Sequence, residues 1–135
     1  MSGTLNWSRI VAVWLLIIAA ETVHGALRQA YLAPLMGDFP ARRLAVFTGI
    51  LLIFAITWLC IRWLQLSGTR ALIQAGALWA TFTMLFEVGL GRALGYDWER
   101  IFADYDLAQG GLMGIGLLAM LFAPLLAARL RAEPP

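Results

Sequence analysis

Four long apolar runs set the limits on this chain: Ile10–Leu32, Leu44–Leu66, Leu72–Leu94 and Leu107–Ala128, parted by short polar breaks. A helix needs on the order of 20 apolar residues to cross the hydrocarbon of a bilayer, and each run meets that length. Of the 135 residues, 61% are hydrophobic and 13% charged, against about 45–50% and about 25% in an ordinary soluble domain. Four crossings therefore occupy nearly the whole chain. A transmembrane barrel would need alternating segments of about ten residues, which these uninterrupted runs are not. The expected fold is all-α: a single integral membrane domain over 1–135, built as a bundle of four transmembrane helices.

The breaks carry the residues that end helices. Pro34, Gly37, Asp38 and Pro40 mark the first connection, Ser67-Gly68-Thr69-Arg70 a tight second one, and Gly95 to Asp106 the third. In the third, Trp98, Ile101, Phe102 and Tyr105 share one helical face, Asp97 suits an N-cap, and Arg100 and Asp104 make an i,i+4 pair. The expectation is a short helix over Asp97–Asp106, lying in the outer membrane interface. The first run is longer than a signal-peptide core and carries Glu21 and His24 without a cleavage motif, so it reads as a retained span.

All ten basic residues are Arg. An even number of crossings puts both termini on one side, with Arg9, Arg62, Arg70, Arg129 and Arg131 against the single acid Glu133. The other side has Arg28, Arg42, Arg43, Arg92 and Arg100. Arg28 and Arg92 sit in or at the end of apolar runs, and setting them aside leaves the terminal side richer. The positive-inside rule then places the termini in the cytoplasm. The lone Cys60 excludes a disulfide or a cysteine-pair metal site within the chain. No basic cluster exceeds Arg42-Arg43, so nucleic acid is not an expected partner, and no motif implies a metal or cofactor.

Charge inside the apolar runs points to function. Glu21 lies about 18 Å beyond Arg9 along a helix, and Glu87 about 25 Å beyond Arg70. A carboxylate at the bilayer centre costs on the order of 2.5–3.5 kcal/mol on insertion scales, so it must be protonated, paired or facing water. Glu21, His24 and Arg28 fall at i, i+3 and i+7, along one face of the first helix. Gly25 flattens the surface beside them. On the third helix Glu87 and Gly91 share a face, and Arg92 is turned about 140° from Glu87, towards another helix or the headgroups. The expected site is a polar cluster of Glu21, His24, Arg28 and Glu87 with Arg92, to which Gln74, Thr81 and Thr83 add hydrogen-bonding groups. Its competing structural reading is a self-neutralising set of Glu–Arg and Glu–His pairs that holds helices together.

The stretches Glu21-Thr-Val-His24-Gly25-Ala-Leu-Arg28 and Glu87-Val-Gly-Leu-Gly91-Arg92-Ala-Leu both place Gly four residues after Glu, with Arg close behind. A duplicated half would leave such a trace. Gly110 and Gly114 on the fourth run, continued by Ala119, Ala123 and Ala127, form a small-residue packing stripe, and Pro124 bends that helix. Trp7, Trp58 and Trp63 read as inner interface anchors, and Tyr31, Tyr96 and Trp98 as outer ones.

The stretch ETVHGALRQAYLAP from Glu21 to Pro34, with Phe47-Thr-Gly49, Trp98-Glu-Arg-Ile and Asp104-Tyr-Asp, resembles a family of short four-helix bacterial membrane proteins without an assigned activity. In size and helix number the chain is also similar to small dual-topology channels and exporters, such as fluoride channels and small multidrug transporters. Glu21 stands where a small multidrug transporter places its essential Glu. The pore Asn of a fluoride channel is replaced here by Val46-Phe47, and the aromatic cage of a transporter is not evident, so these likenesses are architectural.

Two functions from different classes follow as expectations. In the first, a homo-oligomer in the lipid bilayer binds or passes an ion or small polar solute through the Glu/His/Arg cluster. In the second, the chain is a non-catalytic accessory subunit packed on a larger membrane complex through its small-residue stripe. An intramembrane enzyme using Glu and His as acid and base lacks a motif, so no catalytic residue is assigned.

Overall fold

The computed structural model describes residues 6–131, so Glu133 and the terminal prolines lie outside the described residues. Among the described residues there is no strand. The elements are α1 (Trp7–Leu27), a widened π turn (Arg28–Leu32), α2 (Ala33–Met36), α3 (Asp38–Leu64), α4 (Thr69–Ala93), α5 (Trp98–Ala103), a 3-10 turn (Leu107–Gln109) and α6 (Met113–Leu130). Four spans are long and apolar enough to cross a membrane: Trp7–Met36, Asp38–Leu64, Thr69–Ala93 and Met113–Leu130. Their outward faces are oily, with Leu51, Leu59, Leu85 and Leu118 all exposed.

Each boundary has a local cause. Pro34 has no N–H and its ring crowds the carbonyl four residues back. The helix answers by widening, so that the Ala33 N–H reaches the Arg28 carbonyl five residues behind. Gly37 then breaks the chain at φ 91°, a left-handed geometry that suits glycine, and α3 starts at Asp38, whose charge complements a helix N-terminus. Gln65 at φ 53° closes α3, and Gly68 at φ 87° opens α4.

The fourth helix starts later than the expected Leu107. Gly110 takes φ 91°, and Gly111 lies against the backbone of Ala103 and Asp104, too close for a Cβ. The chain folds back on α5 before α6 begins at Met113. The expected pairing of Gly110 and Gly114 on one helix is therefore not seen. Gly110 is outside the helix, and a Cβ on Gly114 would meet nothing within 4 Å. Ala123 and Ala127 are buried in the chain's own core. The tight helix crossing is elsewhere: a Cβ on Gly76 of α4 would collide with the backbone of Leu121 on α6.

The core occupies the end nearer the termini. Ile10, Val13, Ile17, Ile61, Leu64, Trp79 and Met120 form one buried cluster. Trp79 donates its indole N–H to the Ile10 carbonyl at 3.0 Å. Arg9 and Arg131 brace the same end, donating to the Trp63 carbonyl at 2.6 Å and the Trp58 carbonyl at 2.7 Å. The inward stripe of α3 changes size along its length. It runs Ala41, Ala45, Gly49 at the far end, then Ile53, Thr57, Ile61 and Leu64. Large side chains fill one half, and small ones leave room in the other.

Candidate functional site

That room is a cavity of about 440 Å³. Residues of α1, α3 and α4 make its long walls, and α1 and α4 are bonded to each other at the core end. The seam is a short polar chain. The Trp14 indole N–H donates to Thr83 Oγ1 at 3.0 Å, and Thr83 Oγ1 lies 3.2 Å from Met120 Sδ. Trp14 is held edge-on to Phe82 and Phe86, at 5.5 and 6.4 Å between centroids. Above this floor the cavity is flanked by α5 and the start of α6. Thr22, Ala26, Gln29, Leu90 and Leu94 on its rim are exposed, so it is open at the side between α1 and α4.

Glu21, His24, Arg28 and Glu87 all line this one space, as the face spacing predicts. Arg92 does not. It donates to its own Tyr96 carbonyl at 3.0 Å and lies 4.7 Å over the Trp98 ring, so its guanidinium is used within the α4–α5 corner. Of the hydroxyl and amide groups expected to contribute, Thr83 sits at the floor. Thr81 bonds back to the Ala77 carbonyl at 2.8 Å, and Gln74 lines a separate shallow groove with Trp7. The glycines also divide. Gly91 lets Ile101 of α5 approach to within 3.2 Å of where a Cβ would be, whereas a Cβ on Gly25 would meet nothing.

The expected Glu–Arg and Glu–His pairs are not formed among the described residues. His24 Nε2 is 2.7 Å from Thr48 Oγ1, which itself donates to the Ala45 carbonyl at 3.2 Å. Thr48 has one hydroxyl proton, and the carbonyl takes it, so Nε2 is the donor to Thr48. The Glu21 carboxyl instead rests on Gly49, where a Cβ would stand 3.0 Å from Oε2. Gly49, with no side chain, gives this carboxyl space against α3.

The ion pairs lie at the mouth. Asp38 accepts a short hydrogen bond from Nη1 of Arg100, with Nη2 3.4 Å from Oδ1. Asp38 also lies 3.4 Å from Arg42 Nε, and Arg42 Nη1 lies 3.3 Å from Asp104 Oδ2. This alternating chain ties the first turn of α3 to α5 and its C-cap. It replaces the expected Arg100–Asp104 pair, because α5 ends at Ala103 and turns Asp104 inwards. Asp97 does cap α5, accepting from the Arg100 N–H at 2.8 Å. The expected aromatic face is split: Trp98 and Phe102 stack outside with centroids 5.5 Å apart, Ile101 is buried, and Tyr105 lines the cavity.

Burial shapes the titration of the mouth. It raises the Asp104 carboxyl above its usual range, although Arg42, Arg100 and Arg28 pull the other way. Burial opposes the Arg100 charge, but the hydrogen bond and charge of Asp38 outweigh it and raise Arg100 further. Burial, with the charges of Glu87 and Asp104, pushes the Tyr105 phenol up to about 12, so it remains an O–H group at physiological pH.

Among the described residues, five buried side-chain atoms make no hydrogen bond: Glu21 Oε1, Arg28 Nε, Arg100 Nε, the Tyr105 hydroxyl and Arg42 Nε, the last of which is held only by its ion pair with Asp38. All five belong to residues that line the cavity. Leaving such an atom unsatisfied costs about 1–3 kcal/mol, more for charged groups, and polar atoms entering the void, water included, would recover that cost. Among the described residues, no group of three or more His, Cys, Asp or Glu is placed to hold a metal ion.

Sequence reasoning missed Gly49, Thr48, Asp38, Arg42, Arg43, Asp104 and Tyr105 as parts of this site. None shares a helix face with Glu21 or Glu87, and only the return of α3, α5 and α6 to the same end brings them in. No protein family, curated protein or solved structure matches the chain.

Proposed function

We propose that the chain is a small multipass membrane protein that binds an ion or small polar solute in the cavity between α1 and α4. The observation that carries this reading is the set of five buried polar atoms without a hydrogen bond around one void of about 440 Å³. Water alone would satisfy them loosely. A solute with matched donors and acceptors satisfies them together, and gains from the low dielectric around it.

Glu21, Glu87 and Arg28 are the binding groups, His24 is held ready by Thr48, and the Asp38–Arg100–Arg42–Asp104 chain braces the mouth. The termini lie on the cytoplasmic side, where Arg9, Arg62 and Arg131 gather, and α5 rests at the outer interface with Trp98 and Phe102 towards the headgroups. Beneath the cavity the Trp14–Thr83 and Trp79–Ile10 bonds join α1 to α4. Binding is therefore the primary activity, and passage to the other side requires that seam to part.

The test is a thermal-stability screen of the purified protein in nanodiscs against small charged and zwitterionic solutes. A bound solute at ten times its Kd stabilises by about 1.4 kcal/mol. Glu21→Gln and Arg28→Gln are expected to fold with unfolding midpoints near that of the parent and to lose the solute-induced shift. A shift retained in both variants refutes this site.

A further inference from the structure

The proposed binding activity is taken here as the premise, and the order of polar groups along the cavity specifies the ligand further. Along the first helix Glu21 lies seven residues, about 10 Å of rise, below Arg28, and Arg28 lines the cavity with Arg42 and Arg100 near the start of α3. At the Glu21 level the atom without a hydrogen bond is an acceptor, Glu21 Oε1. At the mouth such atoms are donors, Arg28 Nε, Arg42 Nε, Arg100 Nε and the Tyr105 hydroxyl. Asp38 and Asp104 already occupy Arg42 and Arg100. Among the described residues Arg28 makes no close ion pair, although the charges of Glu87, Asp38 and Asp104 act on it from farther off, and it stands two turns of helix beyond Glu21.

A simple anion drawn in by the guanidinium groups would leave the Glu21 acceptor unmet and face two carboxyls. A simple cation drawn to the carboxyls would leave the mouth donors unmet. Seven residues of helix separate Glu21 from Arg28, about 10 Å of rise. Between them the cavity is lined by His24, whose Nε2 is engaged by Thr48, and by the apolar Gly25, Val46 and Leu90.

We infer that the cavity takes a bipolar ligand, with an N–H or O–H donor group seated against Glu21, a carboxylate or phosphate held by Arg28 at the mouth, and a spacer of about 10 Å between them. Each end satisfies the groups that the other end cannot. The same chemistry is found in a water-borne amino acid with separated charges and in the headgroup of a membrane amphiphile.

The experiment titrates the purified protein in phosphatidylcholine nanodiscs with ω-aminooctanoate, octanoate and octylamine by calorimetry. The aminocarboxylate is expected to bind at least about tenfold more tightly than either single-ended compound, which corresponds to about 1.4 kcal/mol. Glu21→Gln is expected to abolish its advantage over octanoate, and Arg28→Gln its advantage over octylamine. Each variant keeps its affinity for the compound whose end it does not touch, which separates a lost contact from a lost fold.

Octanoate binding as tightly as the aminocarboxylate overturns the bipolar ligand and leaves the solute-binding reading standing. No saturable binding by any of the three also overturns it, while the broader screen judges the premise independently. Adding phosphatidylethanolamine, whose headgroup carries ammonium and phosphate, identifies the source. Competition with the probe assigns the site to a lipid, an unchanged affinity assigns it to a soluble compound, and the two-ended requirement holds in both.

Discussion

The two halves of this molecule are made from the same four helices and solve opposite problems. Towards the termini, Ile10, Ile17, Ile61, Leu64, Trp79 and Met120 fill the space between helices, and the buried Trp79 indole and Thr57 hydroxyl are bonded to the Ile10 and Ile53 carbonyls. Towards the connections, Ala41, Ala45 and Gly49 hold the inward stripe of α3 to small side chains. The void this leaves collects five buried polar atoms without a hydrogen bond. One half is packed for stability. The other stores unsatisfied hydrogen-bonding capacity, and a charge network at its mouth keeps it from collapsing. Stability and binding capacity are thus separated along the helix axes, so a change in one half should leave the other property nearly intact.

The largest effect that would break this division is expected at the core crossing. Gly76→Ala drives a Cβ into the Leu121 backbone, which has no flexible end to move aside. It should destabilise by about 3 kcal/mol, the upper part of the usual overpacking range. Gly114→Ala, with open space around it, should stay within about 0.5 kcal/mol. Denaturant or thermal unfolding in detergent measures both, and equal losses would show that the halves are not packed differently.

A smaller effect is expected at the mouth. Asp38→Asn removes the charge that holds Arg100 and Arg42 together. A loss of about 2 kcal/mol is typical where hydrogen bonds to charged groups are broken. It should appear as faster amide exchange in α5, with the protection around Trp79 unchanged. Slowed or unaltered exchange in α5 would mean that the ion-pair chain does not brace the opening.

The smallest effect concerns pH. Burial raises Asp104 above the usual aspartate value of 3.8. A carboxyl with a raised folded-state pKa binds protons more tightly when folded, so its contribution is complete below 3.8 and is lost as pH rises through the higher value. Asp104→Asn removes that dependence. The stability of the variant relative to the parent should therefore increase from about pH 4 to about pH 7, by less than about 1 kcal/mol after solvent screening. Unfolding midpoints across that range read the slope, and a decrease would reverse the assigned sign.

What the sequence discloses follows the distance over which its physics acts. The four spans are legible because length and apolarity are local, and so is the Asp97 cap. The meeting of Glu21, His24 and Arg28 is legible because helical periodicity alone aligns them, and Glu87 follows from its depth. Arg92 was misplaced because its partners, the Tyr96 carbonyl and the Trp98 ring, depend on how the chain turns after α4. The mouth was missed for the same reason. Asp38 meets Arg100, and Arg42 meets Asp104, across 62 residues of sequence. The apparent repeat illustrates the limit. Glu21 and Glu87 keep a common role, but Arg28 faces the cavity while Arg92 serves a corner, and Gly25 is open where Gly91 is packed.

The widened turn at Arg28–Leu32 acts as an expansion joint in the first span. It takes in one residue more than an α turn would, so the extra residue is absorbed inside the turn and is not passed on as rotation. Glu21 and His24 lie on one side of the joint, and the elbow leading to Asp38 on the other. Deleting a single residue there would impose regular winding and bring the Pro34 ring against the carbonyl four residues back. The strain would fall on the elbow that sets Asp38 beside Arg100, while every buried side chain nearer the termini kept its seat.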